Sequence, residues 1–283
     1  MAHIPPSFID SVAAIGERHP DGSVSWIGSA FFYGLFANKI DDETNEYRVF
    51  CVTNRHVVDA LTTPVLRLNP VGAAPAGEFP MGDMNGWVRH PDPDIDVAVT
   101  GIMFNRLQES GVRISYFQSD NHALTLADFT EMGLSEGDDV FLLGFPMGLV
   151  GGPRNAVIVR QGIVARMIDC IDGVSNSFLV DGYVFPGNSG GPVINRATAA
   201  SVANTKSVNS TNLVGIVASY VEYTEVAVSQ QTQQPRVVFS QNSGLTNVFP
   251  VDRINETIME FHEAFDPDGT PRDRDTAPRG SGN

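Results

Sequence analysis

Cysteine is scarce: Cys51 and Cys170 are the only two in 283 residues. That argues against a disulfide-rich secreted scaffold and for a reducing compartment or a bacterial lineage; spacing alone leaves a single bridge between them open. Basic residues are scarce as well, with 18 Lys and Arg against 33 Asp and Glu and a formal net charge of −15. Nucleic acids and anionic membranes are bound through clusters of Lys and Arg, so neither is expected as a partner. Long apolar runs are missing: the longest, around Ala30–Ala37, is far too short to cross a bilayer, so no membrane insertion is expected. The opening Met-Ala-His-Ile-Pro-Pro lacks a basic segment leading into an apolar one. It reads as no signal peptide, and the expected location is cytoplasmic, or secreted or periplasmic where a signal has been removed.

What is present suits a globular β protein. A hydrophobic content of 42% can fill a sizeable core, and the length suits one two-lobed domain. Short runs rich in Val, Ile, Phe and Tyr recur at Val24–Leu35, Tyr47–Thr53, Val97–Phe104, Val140–Phe145, Ala156–Met167, Ser177–Val184, Leu213–Val221 and Arg236–Phe239. Gly, Pro, Asn and Asp clusters separate them, a pattern that favours a barrel or sandwich. Asp252–Phe265 reads as a helix, capped by Asp252, with Ile254, Ile258, Met259 and Phe261 roughly on one side. Asn38–Glu46, Ala199–Asn212 and Glu222–Pro235 read as polar surface connections, and 266–283 as a disordered tail poor in apolar residues. A boundary between two β lobes falls near Asn105–Asp128.

Three segments carry chemistry. In Phe185-Pro-Gly-Asn-Ser-Gly-Gly-Pro192 the glycines allow a tight turn that brings the amides of Gly187 and Ser189 together as donors. Developing negative charge needs such a pair. Val52-Thr-Asn-Arg-His56-Val-Val places a potential general base at the end of an apolar strand. Pro93-Asp-Ile-Asp96-Val-Ala-Val leads an acid into another strand, where a carboxylate can hold an imidazole tautomer. Asp94 competes with Asp96; the Val-Ala-Val that follows favours Asp96. Gly187–Gly191 also fits the G-x-S-x-G elbow of lipases and esterases, which requires a helix after the Ser and a later catalytic His. Here a β-like segment follows, and the only later His is His262.

Taken together, Thr53-Asn-x-His56-Val-Val, Asp96-Val-Ala-Val and Gly187-Asn-Ser189-Gly-Gly-Pro, in the order His, Asp, Ser, resemble the trypsin-like (chymotrypsin-fold) serine peptidases. In motif style they are nearest the bacterial HtrA-type branch, here without a PDZ domain. Leu213-Val-Gly-Ile-Val217 and Asn247-Val-Phe-Pro-Val-Asp252 add weaker likeness, and the resemblance spans roughly Ser23–Phe265. It implies an all-β domain over 1–265 of two six-stranded barrels, about 10–110 and about 125–250, followed by a helix over 252–265. It implies a serine endopeptidase acting on protein or peptide substrates, with no metal and no cofactor. Ser189 would be the nucleophile, His56 the general base and Asp96 its orienter, with the amides of Gly187 and Ser189 as the oxyanion hole. Tyr183, six residues before the nucleophile, would lie at the base of the primary pocket, beside Ala218, Ser219 and Tyr220. Arg55 departs from the small residue usual before the family's His. An inactive relative used for binding is the main rival, but such relatives usually lose part of the triad.

Overall fold

The computed structural model describes residues 3–42, 44–82, 86–198 and 206–265. The tail at 266–283 and the start of the Ala199–Asn212 connection lie outside them. Among the described residues fourteen strands are formed: β1 (Val12–Arg18), β2 (Val24–Lys39), β3 (Asn45–Thr53), β4 (Pro64–Leu68), β5 (Gly77–Pro80), β6 (Val88–Arg89), β7 (Ala98–Gly101), β8 (Phe117–Gln118), β9 (Asp139–Gly144), β10 (Ile158–Arg166), β11 (Phe178–Asp181), β12 (Pro192–Asn195), β13 (Leu213–Val228) and β14 (Pro235–Pro250).

The last six close a barrel in the order β10-β11-β14-β13-β12-β9. The first eight form one sheet, β5-β4-β1-β2-β3-β7-β6, with β8 added in parallel on β2. The first barrel expected from the resemblance with six strands is seen as an eight-stranded sheet, and its closure is not shown among the described residues. Its edges are short: β5 has four residues and β6 only two, which leaves few backbone groups to join them.

Alternation explains the continuous apolar runs. Along β2, Ala30 and Phe32 point into the core of the first lobe, while Phe31 and Tyr33 point into a second core shared between the lobes. On β3, Val49 and Cys51 face the first and Phe50 and Val52 the second. A strand buried on both faces needs apolar residues at every position, not every other one. The shared core also takes Phe145, Ile216 and Phe249 from the barrel, and Ile254 and Ile258 from the helix Val251–Ala264. It welds the lobes together beneath the cleft.

Some local expectations change. Pro250, not Asp252, stands at the helix N-cap, and the Asp252 carboxylate accepts from Leu126 N instead. Met259 is exposed, away from the buried stripe of Ile254 and Ile258. Glu222–Pro235 is a hairpin in which β13 runs on to Val228 and β14 begins at Pro235. The two thiols are free and sit in separate cores, Cys51 in the first lobe and Cys170 in the barrel. Burial pushes the Cys170 thiol up to about 11 and the Cys51 thiol higher still, which disfavours the thiolate at both.

Candidate active site

β3 ends at Thr53, and a one-turn helix, Arg55–Asp59, carries His56 to the edge of the cleft. Asp96 precedes β7, held between the buried side chains of Ile95 and Val97. Its two carboxylate oxygens do different things. Oδ1 accepts from the His56 backbone N–H at 2.9 Å, and Oδ2 meets His56 Nδ1 at 2.5 Å. An ionised carboxylate only accepts, so in the neutral imidazole this contact places the proton on Nδ1 and the lone pair on Nε2. Asn54 Nδ2 donates to the Asp96 carbonyl at 2.6 Å and locks the segment from behind. Asp94 is exposed, and its backbone N–H caps onto the Asp92 side chain. Arg55 donates to the carbonyls of His90 and Asp92, clamping the approach to Asp96 against the helix that holds His56. The bulk of Arg55 thus has a positional use.

Ser189 comes from the other lobe, in the turn before β12. Gly187 has φ +98° and Gly190 φ +83°, a region that side chains disfavour. A Cβ on Gly187 would fall 2.4 Å from the Phe145 carbonyl oxygen, and one on Gly190 2.1 Å from that of Ser29. Asn188 closes the turn: its N–H donates to Phe185 O, and its Oδ1 accepts from Phe185 N. Met147, itself at φ +56°, donates its N–H to Pro186 O at 2.6 Å. Across a trans peptide this turns the Gly187 N–H to the opposite side. Neither that N–H nor that of Ser189 meets a protein acceptor among the described residues.

Ser29, which sequence reading passed over, ties this turn to the first lobe. Its N–H donates to Ser189 O at 2.8 Å, its hydroxyl donates to Gly187 O at 2.7 Å, and the same hydroxyl accepts from Phe145 N at 2.9 Å. Thr53 Oγ1 donates to the Ser29 carbonyl at 2.7 Å. One fully buried serine therefore fixes the carbonyls of both residues whose amides are free. The signal available in the sequence was a polar residue inside an apolar strand, which burial obliges to find partners.

His56 and Ser189 line one cleft, together with Ile27, Val184, Phe185, Pro186, Gly187, Val217, Ala218, Ser219, Tyr220 and Glu222. Ser189 Oγ donates to the Ala218 carbonyl at 3.3 Å, and no hydrogen bond joins it to His56 among the described residues. Tyr183 is not in the lining. Its ring lies against Gly244, half exposed, and Val184 takes the place beside the cleft. Glu222, whose carboxylate accepts from Ser240 Oγ, stands on the wall instead.

A family model described as a trypsin-like peptidase domain matches residues 28–203, well over half of the chain. The chain belongs to the trypsin-like peptidase family, and it is a peptidase, a hydrolase of peptide bonds. Among solved structures it is similar to the apo protease domain of MamO from Magnetospirillum magneticum. That match has 16% identity and a TM-score of 0.47, and covers 88% of this chain and 96% of the other. A comparison with curated proteins finds no match. No helix among the described residues is long and apolar enough to cross a membrane.

Proposed function

We propose that this peptidase is a serine endopeptidase that works through an acyl-enzyme on Ser189. The observation that carries the reading is the double grip of Asp96 on His56, through Nδ1 and the backbone N–H, with His56 and Ser189 lining one cleft. As substrate enters, Ser189 Oγ leaves the Ala218 carbonyl for His56 Nε2, which takes its proton during attack on the scissile carbonyl. The free amides of Gly187 and Ser189 stabilise the oxyanion. His56 then returns the proton to the departing amine, and a water deprotonated by the same Nε2 resolves the ester. A fluorophosphonate probe tests the reading by forming an adduct on Ser189. A binding-only relative gives none.

The pocket beside Ser189 is lined by Val184, Val217, Ala218 and Tyr220. Small or medium apolar side chains before the cleaved bond should therefore be preferred, each methylene discriminating by about 1–3 kcal/mol. A peptide library read by mass spectrometry checks this. Dominant cleavage after Lys or Arg, abolished by Glu222→Gln, would instead assign the pocket to the carboxylate of Glu222.

No cut near the N-terminus should be needed for activity. A switch in which a new ammonium group inserts beside the nucleophile requires a buried acid to receive it. The residue there is Asn188, already engaged with Phe185 N and carrying no charge. The segment that such a cut would free is β1, paired on one side with β2 and on the other with β4. Intact protein should react with the serine probe, and trimming through β1 should lower the reaction by unfolding the sheet. A gain on trimming that is lost when the new α-amine is blocked would refute this.

A further inference from the structure

The strand that walls the cleft does not stop there. β13 is paired on its outer side by β12 only as far as Pro192↔Ile216, and by the nucleophile turn at Val217, whose N–H and carbonyl bond Gly191 O and Gly190 N. From Ala218, the residue whose carbonyl receives Ser189 Oγ, that outer edge has no strand partner among the described residues. β13 then bends at two irregularities, between Val217 and Ser219 and between Tyr220 and Glu222, and continues to Val228. From Glu222↔Asn242 to Ala227↔Val237 it pairs in unbroken register with β14, which β11 covers only from Leu245 onward. A two-stranded ribbon thus projects from the barrel, starting at the cleft.

Six large apolar side chains on it are exposed. Tyr223, Val226, Val228, Val237, Val238 and Phe239 are all about half exposed or more. Tyr223, Val237 and Phe239 fall on one face, and Val226, Val228 and Val238 on the other, by alternation and register. A lone two-stranded ribbon is marginal in water, and exposed apolar groups in one place mark a binding surface. An edge of unpaired N–H and C=O groups recruits an extended chain.

We propose that the ribbon is a docking strand for the substrate's own flank: the peptide bound in the cleft continues along the outer edge of β13 as an added antiparallel or parallel strand. The inference rests on the serine endopeptidase reading of the cleft. Continuity selects this occupant, because the free edge begins beside Ser189 and leads away from it in one direction. The run from Ala218 to Val228 spans roughly 30 Å, so the regular part of the ribbon engages residues about six to ten positions from the scissile bond. The preferred substrate class is therefore long, unfolded segments. On that flank, β-branched or aromatic residues pack against Tyr223 on one face and Val226 and Val228 on the other. Short peptides use the cleft alone.

The test begins by mapping a cleavage site in reduced, carboxymethylated lysozyme. The peptide of about eight residues around that site is made alone and with Val-Thr extensions of about six residues at either end. Two variants are compared with the intact protein: one in which Glu225–Phe239 is replaced by Asn-Gly, a two-residue turn suited to the facing pair Thr224 and Ser240, so that the Ser240 hydroxyl still meets Glu222 on the cleft wall, and the double substitution Val226→Asp, Val228→Asp on exposed positions. One extension, and only one, should raise kcat/KM at least tenfold in the intact protein, mainly through KM. Both variants should lose that gain while cleaving the core peptide at the intact protein's rate. An equal gain in the variants, or no gain on either flank, overturns the proposal. So does a ribbon-dependent dimer by analytical ultracentrifugation without a length effect, which assigns the surface to a second copy. Absence of both core cleavage and probe labelling in the intact protein would instead strike the serine endopeptidase reading beneath it.

Discussion

Ser189→Ala is expected to lower kcat by roughly four to six orders of magnitude with KM little changed, and His56→Ala to do about the same. In the proposed mechanism the two act as one unit: without the hydroxyl nothing attacks, and without Nε2 nothing removes its proton. The double variant should therefore be scarcely worse than either single one, since losses within one catalytic unit do not add. Folding should survive. Ser189 Oγ makes one long hydrogen bond, to Ala218 O, and the His56 ring is half exposed, so neither side chain carries much packing. Purified variants assayed on a peptide substrate, with thermal unfolding run alongside, check this. Unimpaired turnover in Ser189→Ala would sink the proposed mechanism.

The second large effect lies in the turn that presents the amides. Gly187→Ala puts a Cβ 2.4 Å from the Phe145 carbonyl oxygen at a backbone φ of +98°, so the turn has to move. Removing one oxyanion donor costs about 10²–10³ in kcat, and displacing the Gly187 N–H should approach that. Ser29→Ala acts on the same turn from behind. It leaves Gly187 O and Phe145 N without their buried partner, at about 1–3 kcal/mol of stability for each unsatisfied group. The turn loosens rather than breaks, and a loss of about tenfold to hundredfold in kcat follows from misplacement alone. Binding of an aldehyde that mimics the tetrahedral adduct should weaken in step with kcat, while KM for substrate stays near its original value. A Ser29→Ala protein that loses stability but keeps both kcat and aldehyde affinity would confine Ser29 to a structural role.

Much of this architecture was legible as pattern. The runs at Val24–Leu35 and Tyr47–Thr53 are strands because β-branched and aromatic residues fill both faces, and each face meets its own core. The glycines around Ser189 were legible because only a residue without a Cβ fits so close to Phe145 O and Ser29 O. Closure of the first sheet was not legible, since it depends on whether the short edges β5 and β6 meet, a matter of twist and length that no periodicity encodes. One arm of the ribbon, Glu222–Val228, was hidden for a different reason, while the run Arg236–Phe239 in the other arm was legible. The Thr and Glu of the hidden arm read as a loop, while its strand character comes from pairing between β13 and β14 across the hairpin. Tyr183 shows the limit of carrying a position over by count: one residue's difference in the approach to Phe185 puts Val184 at the cleft and the Tyr183 ring over Gly244. Ser29 was missed because a lone serine in an apolar strand announces a need for partners without saying which. Its partners lie more than a hundred residues away, at Phe145 and Gly187.

The most direct test of the central claim is to treat the intact protein with a fluorophosphonate, digest it, and locate the adduct by mass spectrometry. A single adduct on Ser189, lost in His56→Ala and slowed in Asp96→Asn, is the expected result. An adduct on another residue, or none while peptide hydrolysis continues, would contradict an acyl-enzyme built on Ser189.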